Sequence, residues 1–420
     1  MAAVIQDPLR EARRPELIFK IDGFGCDVHD AIFLPDKDAI VTGTEDRTLR
    51  IWMRRDTGRF WPSAIEVLPS PVTCITYCSY SRRLYVGLDN GTVVELLLAE
   101  DLNHMEHKRD YLSHTARIDG VIIVMEMKWI LSVSRDRTFA WYSNENGRRL
   151  GGHDLESAGT CLEYDAGSRY VFVGDASGRI TLLSLSQNGD QVECRAVREL
   201  RGHEQSVTCL SWDSTRSHLF SSSSDHSVIL WDIGGAKGAA MELQGHTKEV
   251  SSVLWWPGGN NRVAAAATKD QDKYKGLAVS GGHDGLLIFW YMDPSRAETP
   301  TWSESDVCQI CAAPFFWNVK KMWNVMSVGV RQHHCRRCGK AVCDKCSPFR
   351  STLPVLGFER DVRVCNTCWP SITDNDRRSL AILFEARHPV LRVRIEERLN
   401  LMLTLGKDRV LKVWDIKALV

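Results

Sequence analysis

Short runs of alternating apolar and polar residues recur along most of the chain. The clearest copies combine a small residue, an aspartate and an alternating run that ends in an aromatic residue: TEDRTLRIW (44–52), SRDRTFAWY (134–142), SSDHSVILWD (223–232), GGHDGLLIFW (281–290) and GKDRVLKVWD (406–415). A period of two after a tight turn predicts a strand that follows another strand. Two degenerate copies with glycine-rich turns are GLDNGTVVEL (87–96) and GDASGRITLL (174–183). The pattern predicts an all-β chain built from repeated sheets.

The repeats have the spacing of the blades of a β-propeller. A four-stranded blade takes about 40 to 45 residues, plus any additional loop length. Six repeats end 41 to 59 residues apart, at Trp52, Leu96, Tyr142, Leu183, Trp231 and Trp290. The last interval is the longest because the segment 258–276 enlarges a loop between the first two strands of blade six. We therefore expect residues 15–299 to contain blades one to six.

Blade six is interrupted by an insertion. Trp290 and Trp414 are 124 residues apart, where one blade needs about 45. The segment RRSLAILFEARHP, which follows the insertion, supplies the strand and histidine that follow the tryptophan of blade five. This places the insertion in the hairpin loop between the third and fourth strands of blade six. Residues 376–420 then complete blade six and form a seventh blade, which PELIFKIDG (15–23) closes as its outer strand.

The repeats resemble WD repeats, since Gly-His pairs precede strand starts at 202–203 and 245–246 and the dipeptide WD closes blades five and seven. The resemblance implies a hydrogen-bonded tetrad of histidine, hydroxyl, aspartate and tryptophan in each complete blade. The best copies are His203, Ser222, Asp225 and Trp231, and His388, Thr404, Asp408 and Trp414. Histidine, carboxylate and hydroxyl also meet in catalytic triads. Near-copies in successive repeats indicate architecture, so we expect no enzyme activity.

The insertion holds eight of the fourteen cysteines of the chain. They form closely spaced C-x2-C pairs at Cys308, Cys311, Cys335, Cys338, Cys343, Cys346, Cys365 and Cys368. In a reducing compartment such clustering indicates metal binding rather than disulfides. Closed sites of four thiolates are typical of structural zinc, so we expect two Zn²⁺ ions and no catalytic metal. An insert of this size is expected to fold together with its metal.

Charge is balanced overall but uneven locally. The chain has 53 Lys and Arg against 53 Asp and Glu, so no global field favours nucleic acid or membrane. From Trp302 to Pro370, ten basic residues face five acidic ones. The N-terminal segment has no signal-peptide pattern, and no stretch of about 18 apolar residues occurs. We therefore expect a cytosolic protein whose electrostatic binding is local to the insert.

The residues between the cysteines resemble the FYVE family. Its motifs R(R/K)HHCRxCG, RVC and WxxD have counterparts in RQHHCRRCG (331–339), RVC (363–365) and Trp302. With the propeller, nearly the whole chain resembles the short WD-repeat and FYVE-domain-containing proteins. The resemblance implies a two-zinc FYVE-type domain at 300–373, phosphatidylinositol 3-phosphate as its ligand, and peripheral binding to the cytosolic face of early endosomes.

The resemblance also implies residue roles. In the family pattern the zinc sites interleave, so that one ion is held by Cys308, Cys311, Cys343 and Cys346 and the other by Cys335, Cys338, Cys365 and Cys368. Headgroup contacts fall on Arg331, His333, His334, Arg336 and Arg363, with Trp302 and Asp306 at the rim. Guanidinium groups suit a phosphate because they form bidentate, charge-assisted hydrogen bonds. Membrane insertion falls on a tip at Val328 and Gly329, with Met326 and Val330 beside it.

Two positions depart from the family motifs. Gln332 stands where a basic residue is expected, and Asp306 lies one place later than WxxD requires, with Ser305 at the expected position. These departures favour weaker binding or altered recognition of the ring hydroxyls. A further difference is the segment PFFWNVKKMWNV (314–325), which lengthens the insert. Its apolar residues have helical spacing, which fits either packing on the protein or an interfacial amphipathic helix.

The function indicated is a non-enzymatic adaptor or scaffold. The insert would read the lipid identity of endosomal membranes, and the propeller would present loops to protein partners, with signalling kinases or receptor adaptors as candidates. One alternative is a RING-like ubiquitin ligase with a propeller substrate receptor, although a RING finger normally has a histidine among its zinc ligands. The other alternative is a nucleic-acid binder. It is the less favoured one, so we expect no nucleic-acid partner.

Overall fold

The computed structural model describes residues 14–35, 37–56, 58–112, 114–188, 191–234, 238–257, 276–292, 296–326 and 328–419. Most of the long loop expected in blade six, residues 258–275, lies outside these ranges. Within them, no helix has the length and apolar character needed to cross a bilayer.

Before the insert, the chain consists of strands. They are β1 (Glu16–Ile21), β2 (Val28–Leu34), β3 (Ala39–Thr44), β4 (Thr48–Arg54), β5 (Phe60–Val67), β6 (Val72–Cys78), β7 (Arg83–Leu88), β8 (Thr92–Leu98), β9 (Met105–Leu112), β10 (Ile118–Val124), β11 (Trp129–Ser134), β12 (Thr138–Ser143), β13 (Arg149–Asp154), β14 (Gly159–Asp165), β15 (Tyr170–Asp175), β16 (Arg179–Asn188), β17 (Gln191–Arg201), β18 (Val207–Asp213), β19 (His218–Ser223), β20 (Ser227–Asp232), β21 (Gly238–Gln244), β22 (Val250–Trp256), β23 (Leu277–Gly282) and β24 (Leu286–Tyr291).

The insert contains one helix and four short strands: α1 (Val319–Val325), β25 (His333–His334), β26 (Ala341–Val342), β27 (Phe349–Leu353) and β28 (Phe358–Val364). The chain ends with β29 (Ala381–Glu385), β30 (Val390–Glu396), β31 (Leu401–Gly406) and β32 (Leu411–Asp415). Short 3₁₀ turns lie at Asp344–Cys346, Pro354–Leu356, Trp369–Ser371 and Lys417–Leu419.

The strands form the seven blades of a propeller. Blades one to five take consecutive antiparallel strands, from β2–β5 to β18–β21. In blade six, β24 pairs with β29, so the insert leaves after the third strand and the chain returns as the fourth. This confirms the predicted insertion in a blade-six hairpin. In blade seven, β1 pairs with β32 and thereby joins the two ends of the chain in one sheet.

The second strands of the blades are more buried than simple alternation predicts. Every residue of β3, β11, β23 and β31 is buried. In a propeller both faces of a strand at this position pack against neighbouring blades, so its residues are apolar or small on both sides. The fold is therefore held by apolar contacts between adjacent sheets, such as the cluster that joins Trp256, Phe289, Val393 and Trp414 across blades six and seven.

The tetrads of the WD resemblance are present, with one correction. In blade five, the hydroxyl partner of His203 and Trp231 is Ser221, not the expected Ser222. Its Oγ lies 2.7 Å from His203 Nε2 and accepts from Trp231 Nε1 at 2.8 Å. Because side chains alternate across a strand, a shift of one residue moves the hydroxyl to the other face. Ser222 instead bonds to Thr208.

The insert is attached to the propeller by backbone pairing. The sheet of blade five continues from β21 to β28 and then β27, and Gln244 N donates to Gly357 O at 2.9 Å. Gly357 has φ +93°, and a Cβ there would lie 2.0 Å from Glu242 O. Only glycine allows this approach of the two backbones. The edge of blade five is thus covered by the insert, which fixes where the functional groups of the insert lie.

Arg296 ties the start of the insert to its end. Its guanidinium donates to Tyr291 O at 2.7 Å, to Pro354 O at 2.9 Å and to Leu380 O at 2.8 Å. Since these carbonyls belong to blade six, to the insert and to the returning chain, one buried side chain joins all three.

Candidate functional site

The eight cysteines of the insert form two groups of four. The sulfur atoms of Cys308, Cys311, Cys343 and Cys346 lie within 4.8 Å of one another, and so do those of Cys335, Cys338, Cys365 and Cys368. Thiolates about 2.3 Å from a central zinc ion are roughly 3.8 Å apart in a tetrahedron. The structure therefore brings together the same interleaved sets that the FYVE resemblance implies, without a histidine in either set among the described residues.

The electrostatics of these groups fit a bound cation. Burial raises the pKa of Cys308, but N–H groups of Cys311, Ile310 and Cys343 that point at its sulfur lower that pKa to about 7. Burial and the neighbouring thiols raise the pKa of Cys346 and Cys368 above the ordinary value. Four thiolates at such distances repel each other, so a divalent ion is required to hold them all deprotonated. The residues present fit two zinc ions.

A cationic cavity of about 300 Å³ lies next to the second group of cysteines. Its lining residues are Gln244, Trp302, His333, His334, Arg336, Arg350, Val362 and Arg363. Three of them carry a guanidinium and none carries a carboxylate. Five of the expected headgroup residues thus meet around one space: Trp302, His333, His334, Arg336 and Arg363.

Two arginines stand side by side on the hairpin that forms one wall. Arg350 in β27 is directly opposite Arg363 in β28. Like charges at opposed positions of a strand pair destabilise the pair, so this arrangement is suited to an anion that both can bind. Arg350 is a cavity residue that none of the sequence motifs indicates. The signal was the turn PVLG between the two strands, whose length sets the register that pairs Arg350 with Arg363.

Asp344 provides a local counterion for this wall. Its Oδ1 lies 2.8 Å from Arg363 NH1 and 3.0 Å from His333 Nε2. Burial raises the pKa of Asp344, but His333 and Arg363 together lower it by more, so the pKa lies below its ordinary value. Asp344 thus pairs with a histidine and an arginine that both line the cavity.

Trp302 forms the opposite rim. Its ring stacks on His334, with 5.2 Å between ring centres and an interplanar angle of 14°. The guanidinium carbon of Arg336 lies 4.1 Å from the centre of the Trp302 ring. His334 Nε2 lies 3.2 Å from Ser303 O. These contacts hold the indole and Arg336 in place by stacking and cation–π attraction.

Two expected headgroup residues are not among those that line the cavity. Arg331 is exposed outside it. The carboxylate of Asp306 instead accepts a hydrogen bond from Trp317 Nε1 at 2.9 Å. The additional segment supplies Trp317, so Asp306 is used to hold that segment.

Comparisons with known proteins agree with a propeller that carries a zinc-finger insert. A family model described as FYVE zinc finger matches residues 300–374, and one described as WD domain, G-beta repeat matches 15–53, 194–232 and 239–291. "WD repeat and FYVE domain-containing protein 2" of Homo sapiens is 43% identical over 420 residues, covering 100% of both chains. The chain belongs to the WD repeat and FYVE domain-containing family. "WD repeat and FYVE domain-containing protein 1" of Mus musculus is 43% identical over 410 residues, which cover 98% of this chain and 95% of the relative.

More distant similarities agree. The "WD repeat and FYVE domain-containing protein 2" of Caenorhabditis elegans is 35% identical over 428 residues, covering 100% of this chain and 98% of the relative. The crystal structure of the "WD40 beta propeller domain of Doa1" matches 95% of this chain and 96% of that one, with a TM-score of 0.60 and 13% identity, which shows the fold alone. Membership of the family supports a phosphoinositide-binding role of the adaptor or scaffold kind, and none of these names indicates a catalytic activity.

Next to the cationic motif, the insert exposes an apolar surface. Besides Trp302 at the cavity rim, the large apolar side chains of the insert that are exposed are Phe316, Trp317, Val319, Trp323, Met326 and Val328. Trp323, Met326 and Val328 are 84%, 96% and 84% exposed. We call these six residues the apolar tip. It includes two of the four residues expected to insert into a membrane, Met326 and Val328.

The other two residues of that expectation have different positions. Gly329 is buried, and a Cβ there would lie 2.7 Å from both Met322 Sδ and Phe316 Cα. It therefore does not form the end of the loop but packs beneath the helix α1. Val330 is half-buried and bridges to Phe315, whose ring is fully buried in the core of the insert. The segment 314–325 thus packs through some of its apolar residues and exposes others.

Proposed function

We propose that this chain is a non-enzymatic adaptor that binds phosphatidylinositol 3-phosphate in the cytosolic leaflet of early endosomal membranes. In this proposal residues 300–373 form the lipid-binding domain, and the propeller, 15–299 with 376–420, presents its loops to protein partners. The observation that carries the proposal is the convergence of Arg336, Arg350 and Arg363 on one cavity that two histidines also line and no carboxylate does.

The chemistry of the cavity matches a phosphomonoester. Such a group carries up to two negative charges and several acceptor oxygens, and arginine forks bind it with short, charge-assisted hydrogen bonds. Trp302 would cover one face of the ligand at the rim. Arg331, although it does not line the cavity, would lie close enough to the membrane surface to add attraction for anionic lipids.

The apolar tip supports a membrane as the source of the phosphate. Six apolar side chains exposed on one segment of the domain that holds the cationic cavity are unusual for a purely aqueous surface. Lys320, Lys321 and Arg331 flank the tip and suit an anionic bilayer surface. We infer that the tip enters the interfacial region while the cavity holds the headgroup. One small apolar tip binds a bilayer weakly, so the two contacts act together.

The experiment is vesicle flotation with the full-length, zinc-loaded chain. Vesicles of phosphatidylcholine carry phosphatidylinositol 3-phosphate, phosphatidylinositol 4-phosphate or no phosphoinositide. We expect flotation with the 3-phosphate only, and loss of at least tenfold in affinity for Arg336→Ala, because a charge-assisted bond is removed. The matched control is Arg195→Ala, an exposed arginine on the outer strand of blade four. Equal binding to all vesicles, or none, would overturn the proposal.

A further inference from the structure

One wall of the headgroup cavity belongs to the propeller. Gln244 is the last residue of β21 in blade five, and its backbone N–H is fixed by Gly357 O of the insert. Gln244 is one of the residues that line the cavity, and the other lining residues lie between Trp302 and Arg363 of the insert. The cavity is therefore a composite of two domains, and it is complete only when the insert is docked on blade five.

Gln244 contributes a side-chain oxygen, which the lining residues of the insert lack. Its Nε2 donates to Glu242 Oε1, and because a carboxylate only accepts, this bond sets the orientation of the amide. The Gln244 Oε1 receives no hydrogen bond from a described residue. It is also the one side-chain oxygen among the residues that line the cavity. The ring hydroxyls of an inositol are donors that such an oxygen can accept.

The propeller adds negative charge near the cavity through two carboxylates that do not line it. Glu242 and Glu204, both of the propeller, act electrostatically on Arg336 and oppose the effect of burial on that guanidinium. Arg350 and Arg363 lie on the hairpin of the insert. A phosphate is therefore favoured next to the hairpin and disfavoured next to Gln244 and Glu242. A ring bound in this way would turn its free hydroxyls toward blade five.

We propose that blade five reads the unphosphorylated side of the inositol ring, with Gln244 Oε1 accepting from a ring hydroxyl and Glu242 rejecting a second phosphate. Blade five thus supplies the oxygen acceptor that Asp306 does not bring to the cavity. This inference rests on the proposed function, since it requires the cavity to hold an inositol phosphate. It adds that selectivity among the 3-phosphorylated lipids depends on the propeller.

The test uses the full-length, zinc-loaded chain in two variants. Gln244→Leu removes the acceptor at nearly constant volume, and Glu242→Gln removes the negative charge while it keeps a hydrogen-bonding partner for Gln244. The matched control is Gln205→Leu, an exposed glutamine that precedes the first strand of the same blade. Binding is measured to vesicles with phosphatidylinositol 3-phosphate or phosphatidylinositol 3,4-bisphosphate, and in solution to inositol 1,3-bisphosphate, which separates the headgroup from the bilayer.

We expect Gln244→Leu to weaken binding of the 3-phosphate about tenfold, on vesicles and in solution alike, as the loss of one hydrogen bond predicts. Glu242→Gln is expected to narrow the preference for the 3-phosphate over the 3,4-bisphosphate about tenfold, and Gln205→Leu to match the wild type. Zinc content and circular dichroism establish that each variant is folded.

The outcomes separate this inference from the proposed function. If both variants keep wild-type affinity and selectivity while Arg336→Ala loses binding, the propeller does not contact the headgroup and the inference is overturned, with the proposed function intact. If the wild type binds none of these ligands, the proposed function itself fails.

Discussion

At the scale of single residues, a carboxylate already pairs with the cationic wall of the cavity. Asp344 pairs with Arg363 and lies beside His333, two of the groups that a phosphate would use. Its side chain is 64% exposed, so it can turn away into solvent when a ligand enters. A phosphate offers more charge and more acceptor oxygens, so in the proposed complex it would replace the carboxylate. The ion pair lost in this exchange would lower the affinity.

Asp344→Asn should therefore bind inositol 1,3-bisphosphate more tightly, on the order of threefold, because an exposed ion pair is weak. Isothermal titration measures this change. Asp374→Asn is the matched control, since Asp374 is an exposed carboxylate at the end of the insert that pairs with Arg377 at 3.6 Å. Weaker binding by Asp344→Asn would instead show that the carboxylate positions Arg363 for the ligand.

Single residues also show what a sequence motif can and cannot predict. The motif identified Arg336 and Arg363 because fixed spacing from the cysteines fixes their position. The WD-repeat pattern placed the tetrad hydroxyl of blade five one residue late, at Ser222. Consecutive serines give no signal of which one faces His203. Gln244 carries no motif at all and reaches the cavity only through pairing of β21 with β28. Such long-range contacts are not visible in local spacing.

At the scale of elements, the tetrad of blade seven makes stability depend on pH. Burial and Lys412 lower the pKa of His388 to about 4, and Asp408 opposes this shift only in part. His388 Nε2 lies 2.9 Å from Thr404 Oγ1. A histidine whose pKa is lower in the folded state contributes stability above its unfolded pKa, about 6.5, and that stability is lost as the pH falls toward 4.

We expect the free energy of unfolding of the wild type to fall by on the order of 3 kcal/mol from this group between pH 6.5 and 4. His388→Gln should be less stable at pH 7 but should lose less on acidification. Urea unfolding at several pH values measures both chains. Zinc loss in acid affects the two chains equally, so it does not alter the difference. Parallel pH profiles would contradict the role of His388.

The helix α1 is the element whose function the sequence left open. The structure shows that Phe315 packs in the insert whereas Trp323 is exposed, so the segment satisfies both alternatives in part. The periodicity could not separate them because a seven-residue helix has apolar residues on more than one side. Its asparagine cap, Asn318, accepts from Lys321 N and fixes where the helix begins.

Trp323→Ala should weaken binding to vesicles with phosphatidylinositol 3-phosphate about tenfold, since burial of a large apolar side chain is lost. Binding of soluble inositol 1,3-bisphosphate should not change. Trp61→Ala, an exposed tryptophan on the outer strand of blade one, provides the control. An equal loss with vesicles and with the soluble headgroup would indicate that Trp323 supports the fold rather than the membrane contact.

At the scale of the whole molecule, closure of the propeller requires strands from both ends of the chain and from both sides of the insert. Closure needs β29 to β32, which follow the insert, and β1, which begins the ring. The repeat pattern predicted the blades and the insertion because every blade repeats the same local signals. It could not predict that the insert docks on blade five, since neither β21 nor β28 carries a signal for the other.

A chain that ends at residue 299 should fail to fold, because blade six lacks its outer strand and blade seven retains only β1. Replacement of 300–373 by a short Gly-Ser linker should instead give a folded propeller. Circular dichroism and resistance to proteolysis compare the two. A stable, cooperatively unfolding product from the truncated chain would contradict the requirement for β29 to β32 in closing the propeller.

The central claim is that a zinc-held cationic cavity, completed by blade five, binds the 3-phosphate of an inositol lipid. The most direct measurement is a crystal structure of the full-length, zinc-loaded chain with inositol 1,3-bisphosphate. We predict that the 3-phosphate contacts Arg336, Arg350 and Arg363, and that a ring hydroxyl donates to Gln244 Oε1. A headgroup bound elsewhere on the chain, with this cavity empty, would contradict the account.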